Sequence, residues 1–292
     1  MKILDKFGKI LYENVPIEKV LESKVNLCFD GLILEDISFN NNNLSEATFR
    51  GATLRNVTFD DTDLRNVNFS TAKLIDTSFK NINTHSCKFI TTHFINCVFN
   101  NFIFTNIEFK DSIFLGCSFK DGYIADSICI KNYFNDGEFN SITFNYCDLY
   151  YSRFYTSKFI NTKISRSPTF YVNFEICTNP PYIPMACPTK GSFVGYKRVK
   201  NYLVKLFIPA SAKRSSATST KCRCSKAKVI YILDLETKES VKEIVNTNYG
   251  ETKYKVGKMV YPDSFDMNRY NECSNGIHFF IDKQEALNYT LY

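Results

Sequence analysis

A large apolar residue recurs at every fifth position of this sequence from Phe29 to Phe174, and no other feature constrains the fold as strongly. Phe, Leu or Ile occupies 27 of the 30 positions in this register, which only Thr84, Cys129 and Thr169 interrupt. An α-helix repeats about every 3.6 residues and a strand every two, so neither element presents a five-residue period to a core. A short period maintained over this length is typical of a solenoid.

A second register lies two residues before each large residue and carries mostly small side chains, as at Ala47, Ala52 and Val57. The other three positions of each five are mainly polar or charged. One large and one small side chain pointing inward, with three pointing outward, predict a short extended wall followed by a turn.

Segments such as 45–49 (SEATF) and 65–69 (RNVNF) resemble the pentapeptide-repeat family. The resemblance implies a mainly β fold, a right-handed quadrilateral β-helix with four repeats per coil, in which residues twenty apart lie above one another. The repeat positions that we expect to form its core include Phe49, Leu54, Phe59, Leu64, Phe69, Leu74, Phe99, Phe109, Phe119, Phe139 and Phe159.

Both ends of an open β-helix expose unpaired backbone and apolar side chains, so each end needs a cover. At the N-terminus we expect a hairpin that turns near Phe7-Gly8 and a helix from Pro16 to about Ser23. A cluster of prolines then marks the end of the repeats. The predicted organisation is an N-terminal cap (1–25), the β-helix (26–177), a linker (178–190) and a basic C-terminal α+β domain (191–292).

The charge is unevenly distributed between these parts. Residues 26–177 contain 13 basic and 16 acidic residues, whereas residues 178–292 contain 18 basic and 10 acidic residues. No acidic residue occurs between Glu175 and Asp234. This stretch predicts an anion-binding surface, and the residues that we expect to contribute to it are Lys197, Lys213, Arg214, Ser215, Ser216, Lys221 and Arg223. A solvated strand face is the alternative.

Eleven cysteines, an odd number without paired spacing, favour a reducing compartment over a disulfide framework. The chain shows no signal-like start and no apolar run of membrane-spanning length. We therefore expect a cytoplasmic protein, in a host or bacterial cytosol, that is neither secreted nor inserted in a membrane.

The C-terminal part has ordinary globular patterning, with strands expected at 192–199, 202–208, 227–233 and 276–281 and a helix that begins after Asp282. The segment 209–225 is polar and long, which predicts a functional or a disordered loop. Segments including 195–197 (GYK) and 271–280 (NECSNGIHFF) resemble an uncharacterised domain that often follows pentapeptide repeats in viral, phage and bacterial proteins. That resemblance implies a fold unit and no mechanism.

Two kinds of chemistry can be drawn from single residues of this domain. Arg269, Glu272 and His278, with Arg214, could form a nucleotide-handling site in which the histidine acts as acid or base. Cys222, Cys224, Cys273 and His278 suggest zinc, but a C-x-C pair without a second standard pair is not the spacing of a zinc site. A histidine held by a structural hydrogen bond is the simpler interpretation, and we expect no cofactor and no metal.

Three functions remain in order of preference. The first is a non-enzymatic scaffold whose basic domain binds a protein or an anionic ligand, such as a nucleotide or nucleic acid. The second is a nucleotide-binding or nucleotide-modifying enzyme that uses Arg269, Glu272 and His278. The third follows from resemblance to quinolone-resistance pentapeptide proteins, which imitate DNA and bind topoisomerases. Dimerisation through the end of the β-helix is compatible with each of them.

Overall fold

The computed structural model describes residues 2–4, 7–22, 27–167, 169, 171–174, 176–246 and 251–289. It forms two compact units, Met1–Tyr182 and Ile183–Tyr292. The division falls inside the stretch 178–190, where the prolines interrupt the five-residue period. In the described part of the chain, no helix is both long enough and apolar enough to span a membrane.

The first unit is a β-helix preceded by a hairpin and one short helix. Its elements are β1 (Lys2–Leu4), β2 (Ile10–Glu13), α1 (Ile17–Glu22), β3 (Ile33–Glu35), β4 (Thr53–Arg55), β5 (Lys73–Ile75), β6 (Ser78–His85), β7 (Lys88–Ile90), β8 (His93–Ile95), β9 (Val98–Thr105), β10 (Glu108–Lys110), β11 (Ile113–Leu115), β12 (Ser118–Ala125), β13 (Tyr133–Asn135), β14 (Glu138–Asn145), β15 (Arg153–Tyr155), β16 (Lys158–Ile160) and β17 (Lys163–Ser165).

Strands of successive coils pair in parallel with a register shift of twenty residues. Leu34 lies opposite Leu54, which in turn lies opposite Leu74. Phe79 and Phe99 are paired in the same way. This register confirms the predicted quadrilateral β-helix with four repeats per coil, and all eleven core residues expected from the period are buried.

Phenylalanine rings form continuous stacks along the interior. The centroid of the Phe99 ring lies 4.8 Å from that of Phe79 and 4.7 Å from that of Phe119, with the planes within 1° of parallel in both pairs. Rings on neighbouring walls meet edge to face, as Phe94 and Phe99 do at 5.7 Å. Both arrangements are favourable for aromatic pairs and add to the burial of their area.

The second inward register is less uniform than the sequence analysis expects. Ile82, Phe102 and Ile142 are buried at this position, so the prediction of small side chains is wrong there. The exception has a local compensation at Gly122, one coil above Phe102. A Cβ on Gly122 would lie 2.2 Å from Cζ of the Phe102 ring, so the glycine provides the space that the ring occupies.

The N-terminal segment pairs with the first coil. β1 is antiparallel to β2 and, through its other edge, antiparallel to β3. Ile17 and Val20 of α1 are buried. The hairpin therefore supplies hydrogen-bond partners to an otherwise open edge. The helix end expected at Ser23 lies outside the described residues.

The second unit is β-rich, with one six-residue helix among its described residues rather than a balanced α+β content. Its elements are β18 (Phe193–Val199), β19 (Tyr202–Ile208), β20 (Arg214–Ser216), β21 (Cys222–Cys224), β22 (Ala227–Asp234), β23 (Ser240–Val241), β24 (Glu243–Asn246), β25 (Thr252–Lys255), β26 (Met259–Val260), β27 (Ile277–Phe279) and α2 (Lys283–Asn288).

These strands form an antiparallel sheet in the order β18-β19-β22-β23, with β26 also paired to β22, a three-stranded sheet in the order β20-β21-β27 and the pair β24-β25. One apolar cluster joins Val204 and Leu206 of β19 to Cys222 of β21 and Phe279 of β27. At α2, the carboxylate of Asp282 accepts a 2.9 Å hydrogen bond from the Glu285 amide, which is the predicted N-cap.

The segment 209–225 is neither a solvated nor a disordered loop. Within it β20 and β21 pair antiparallel, and the other edge of β21 pairs antiparallel with β27. Both edges of the central strand are therefore satisfied, and residues 215–218 and 221–224 are buried. The polar composition misleads here because the hydroxyl and guanidinium groups bond to the protein itself.

Candidate functional site: a cleft lined by two lysines

The arginines of the basic stretch are bound to backbone carbonyl groups. The Arg223 side chain is 1% exposed and donates hydrogen bonds to the carbonyl oxygens of Asn275 (2.8 Å), Asn268 (2.9 Å) and Asp266 (3.3 Å). Because the irregular segment 261–276 has few backbone partners of its own, this guanidinium holds three of its carbonyl groups in place.

Arg214 is engaged in the same way. Its guanidinium donates to five carbonyl oxygens, those of Pro188, Gly191, Pro209, Ala210 and Ala212. The group also lies 5.1 Å from the centroid of the Phe193 ring. Arg214 therefore fastens residues 188–191 to the turn after β19.

The two serines of the stretch are buried. Ser216 Oγ accepts a 2.8 Å hydrogen bond from the Ala186 amide, whereas Ser215 Oγ has no hydrogen-bond partner among the described residues. Of the residues expected to bind anions, Arg214, Ser215, Ser216 and Arg223 thus form no open surface, whereas Lys213 is exposed. The two that remain, Lys197 and Lys221, lie in a cavity.

This cavity, which we call the lysine cleft, has a volume of about 340 Å³. It lies within the C-terminal unit, and its size falls in the range of small-molecule sites. The residues that line it are Lys197, Arg198, Lys221, Asn246, Thr252, Tyr254, Pro262, Asp263, Ser264, Cys273, Ser274, Asn275, Gly276, Ile277, His278, Phe280 and Tyr289.

Lys197 reaches the cleft from the core-facing side of β18. Alternate residues of a strand share a face, so Lys197 lies on the face of Gly195, over which the Phe279 ring packs, and of Val199, a core residue. Its Nζ donates a 3.4 Å hydrogen bond to the His278 carbonyl oxygen. Burial and the positive charge of Lys221 lower the pKa of Lys197 to about 8, against a weaker opposing effect of the Cys224 thiol.

Lys221 precedes β21 and has a different environment. Its Nζ lies 3.7 Å from Cys273 Sγ and 5.3 Å from the centroid of the Tyr289 ring. Burial opposes the charged form, but the Tyr289 hydroxyl, Cys273 and Glu272 outweigh burial and raise the pKa of Lys221. Lys221 is therefore a permanent cation in the cleft.

His278 is held as a neutral imidazole. Its Nε2 lies 2.9 Å from the Ser274 carbonyl oxygen, which can only accept, so Nε2 carries the proton and Nδ1 keeps a lone pair. Burial, followed by the charges of Lys221 and Lys197, lowers the pKa of His278 to about 3. His278 is therefore held by a structural hydrogen bond, as the simpler interpretation of the sequence expects.

The three residues suggested for nucleotide chemistry do not come together. Arg269 donates to the carbonyl oxygens of Ser216 (3.0 Å) and Ala217 (3.4 Å). Glu272 accepts from the hydroxyl and the amide of Ser219. Of the three, only His278 lines the lysine cleft. Neither Glu272 nor Arg269 lies in the lining with it, so the three residues do not form one site.

The four suggested zinc ligands are likewise divided. Cys222 and Cys224 lie in the apolar core, on the opposite face of β21 from Arg223, which pairs with His278. Cys273 is exposed near Lys221. Among the described residues, no group of three or more His, Cys, Asp or Glu side chains is arranged to hold a metal ion.

Lys197 was predicted to contribute to an anion-binding surface, and the cleft itself was not predicted. One signal was available, because the alternation Phe193, Gly195, Lys197 and Val199 puts a lysine in line with core residues of one strand face. Tyr254 and Tyr289 carried no such signal, since their approach depends on segments that are distant in sequence.

Comparisons with known proteins agree with this architecture. The model of pentapeptide repeats (8 copies) matches residues 43–81, and the Family of unknown function (DUF5758) matches residues 183–286. A search of curated proteins finds no match.

Several solved structures are similar at low identity. HetL, a pentapeptide repeat protein involved in heterocyst differentiation regulation from the cyanobacterium Nostoc sp. strain PCC 7120, is 10% identical over 55% of this chain and 83% of its own (TM-score 0.25). Full-length QnrB1, a plasmid-mediated fluoroquinolone resistance protein, is 13% identical over 50% and 81% (TM-score 0.14). The tailspike gp49 of Acinetobacter baumannii bacteriophage Fri1, a capsular polysaccharide depolymerase, is 11% identical over 86% and 67% (TM-score 0.29). The chain therefore combines pentapeptide repeats, stacked every twenty residues, with a C-terminal segment that matches a family of unknown function.

Proposed function

We propose that the protein is a non-enzymatic scaffold whose C-terminal domain binds a small anionic ligand in the lysine cleft. The observation that carries the proposal is the unbalanced charge of the cleft. Lys197 and Lys221 both line it, and among the described residues neither amine forms an ion pair with a carboxylate.

Two buried ammonium groups without an acidic partner are costly, because removal from water disfavours the charge. The neutral His278 adds no compensating charge. The cleft contains one lining carboxylate, Asp263, which is exposed, and Glu272 acts on Lys221 from outside the lining. An anionic ligand would supply a negative partner to both lysines, so the cleft favours carboxylate or phosphate groups.

The rest of the cleft limits the kind of anion. Tyr254, Phe280 and Tyr289 provide aromatic walls, and Asn275 and Ser264 provide polar groups beside them. This mixture of few charges and several aromatic rings suits an organic anion of small-molecule size. The eleven free thiols support the further proposal that the protein works in a reducing compartment.

Calorimetric titration of the full chain tests the site. We expect a phosphate-bearing probe, AMP, and the simple probe inorganic phosphate to bind with heat that falls as salt rises. Lys221→Gln should weaken binding roughly tenfold or more, since a charge-assisted hydrogen bond contributes about 1.5–3 kcal/mol. Lys228→Gln, on an exposed position of β22, is the matched control and should bind as the wild type does. Equal affinities of the Lys221→Gln variant and the wild type would refute the proposed site.

A further inference from the structure

The amine of Lys197 is held in a position that a purely electrostatic site does not require. Lys197 lies on the face of β18 that it shares with Gly195 and the core residue Val199, and its Nζ donates a long hydrogen bond, at 3.4 Å, to the His278 carbonyl oxygen. A lysine that only attracts anions functions equally well on an exposed strand face, where its charge is solvated. The interior position of Lys197 therefore favours chemistry of the uncharged amine.

The two largest influences on Lys197, burial and the charge of Lys221, favour that uncharged form. Lys221 approaches from the start of β21 as a second cation, and His278 on β27 contributes a neutral ring. The Cys224 thiol on the core face has its pKa raised by burial to about 12, so it remains protonated. The remaining titratable groups of the cleft lining are Arg198, Tyr254, Asp263, Cys273 and Tyr289.

Burial beside another cation is the environment in which lysines of proteins react with carbonyl compounds. With a pKa of about 8, about a quarter of Lys197 is uncharged at pH 7.5, compared with about 0.1% of an ordinary lysine. Only the uncharged amine has the lone pair that attacks carbon. The cleft thus contains one amine prepared for attack and, at Lys221, one fixed cation.

We infer that Lys197 captures an aldehyde or ketone that carries an anionic group, and holds it as an imine in the lysine cleft. The inference rests on the proposed anion site, because Lys221 would bind the anionic group and so direct the carbonyl carbon to Lys197. A 2-oxo acid such as pyruvate, with its carboxylate adjacent to the ketone, is the simplest member of this class.

Imine formation needs only the Lys197 amine and the carbonyl compound, and it releases water. The Lys197 nitrogen forms a bond to the carbonyl carbon while the carbonyl oxygen takes a proton, which gives a carbinolamine. Loss of the hydroxyl group as water then leaves the C=N bond, and the second amine proton leaves with it. Water takes up and supplies these protons, while Lys221 keeps its charge and binds the anionic group. No oxidation or reduction occurs, and hydrolysis releases the ligand.

Reductive trapping of the full chain tests the inference. The protein is incubated at pH 7.5 with pyruvate and sodium cyanoborohydride, which supplies the hydride that converts the imine into a stable secondary amine, and the modified lysine is located by peptide mass spectrometry. We expect labelling of Lys197 to exceed that of exposed lysines such as Lys228 by roughly tenfold or more, in line with the difference in uncharged amine. Acetone, which has no anionic group, should label Lys197 much less than pyruvate.

Two variants control for folding and for charge. Lys197→Arg keeps a cation but cannot form the imine, and the label should disappear while circular dichroism stays unchanged. Lys221→Gln should reduce pyruvate labelling towards the acetone level. If the Lys197→Arg variant misfolds, competition in the wild type decides, because inorganic phosphate should then suppress labelling of Lys197 but not of Lys228.

The outcomes separate this inference from the proposed function. If AMP or phosphate binds but pyruvate labels Lys197 no faster than Lys228, the imine is refuted and the anion site stands. If no anionic probe binds and no label appears at Lys197, both are refuted. Labelling of Lys197 by pyruvate and acetone to the same extent would refute the role of Lys221 in directing an anionic carbonyl compound.

Discussion

The β-helix and the C-terminal domain handle buried polar groups in opposite ways. In the β-helix the backbone groups pair between coils at a constant shift of twenty residues, and small buried hydroxyl groups bond to nearby carbonyls, as Thr92 does to Phe69 at 2.9 Å. In the C-terminal domain whole charged side chains are buried, and Arg223 alone bonds to three carbonyls of one irregular segment.

This difference indicates which region of the molecule can form a specific binding site. A repeated coil satisfies itself locally, so no single outward position gathers groups from distant parts of the chain. The C-terminal domain brings together Lys197 of β18, Lys221 just before β21 and residues of β25 and β27, and among the described residues neither lysine forms an ion pair with a carboxylate. Buried charges are normally paired, and a departure from this rule that costs stability is expected at a functional site.

The largest expected effect is at Arg223. Arg223→Met removes a buried, charged donor of three hydrogen bonds; because a hydrogen bond from a charged group contributes about 1.5–3 kcal/mol, we expect a loss of roughly 3 kcal/mol or more in the free energy of unfolding. Urea denaturation followed by circular dichroism measures the change. In the β-helix, Arg65→Met removes only an exposed ion pair with Asp63 and should cause no measurable loss. Equal losses in both variants would contradict the contrast between the two regions.

A moderate effect is expected where the β-helix departs from its own repeat. Gly122→Ala places a methyl group 2.2 Å from an atom of the Phe102 ring, so we expect a loss of about 1–3 kcal/mol from overpacking. In a Phe102→Val background the same alanine has space, and its cost should fall by at least about 0.5 kcal/mol, measured as a double-mutant cycle. If the cost of the alanine were the same in both backgrounds, the packing of the ring over the glycine could not explain this exception in the register.

A smaller effect of opposite sign is expected at Lys197. Because burial lowers the pKa of this amine to about 8, its charge opposes folding below pH 8, and Lys197→Met should raise the free energy of unfolding by roughly 1–2 kcal/mol at pH 7. Above pH 8 the folded amine loses its proton, so the gain should shrink as the pH rises towards the unfolded pKa near 10.5. Lys228→Met, at an exposed site, is the control. A loss of stability in Lys197→Met at pH 7 would show that the lysine is a structural residue.

The contrast also explains how much could be predicted from the sequence. The period of five specified the inward positions from Phe29 to Phe174, because every coil repeats the same local rule. It did not specify Phe102 over Gly122, which depends on a pair of residues one coil apart. In the C-terminal domain no period exists, so composition suggested a solvated basic surface where Arg214 and Arg223 in fact bind carbonyl groups.

The cleft was harder to predict for a related reason. Lys197 lies on β18 and Lys221 just before β21, and the residues that enclose them, such as Tyr254 and Tyr289, come from separate parts of the chain. Strand alternation in 193–199 indicates a lysine on a core face, but only the folded domain shows that a cavity receives it.

The last expected effect, which develops only in acid, is the pH dependence that His278 gives to the C-terminal domain. Burial and the two lysines lower the pKa of this histidine to about 3, whereas the unfolded chain binds the proton near pH 6.5. Its neutral form therefore favours folding fully above pH 6.5, and this contribution is lost as the pH falls towards 3, by at most about 1.4 kcal/mol per pH unit. His278→Gln retains a donor for the Ser274 carbonyl but does not titrate, so subtraction of its urea denaturation curves from those of the wild type isolates the histidine from carboxylates such as Asp266 that titrate in the same range. A difference that stays constant from pH 6.5 to pH 4 would mean that the imidazole is solvated, and the cleft would then lack the low-dielectric interior on which the reactivity of Lys197 depends.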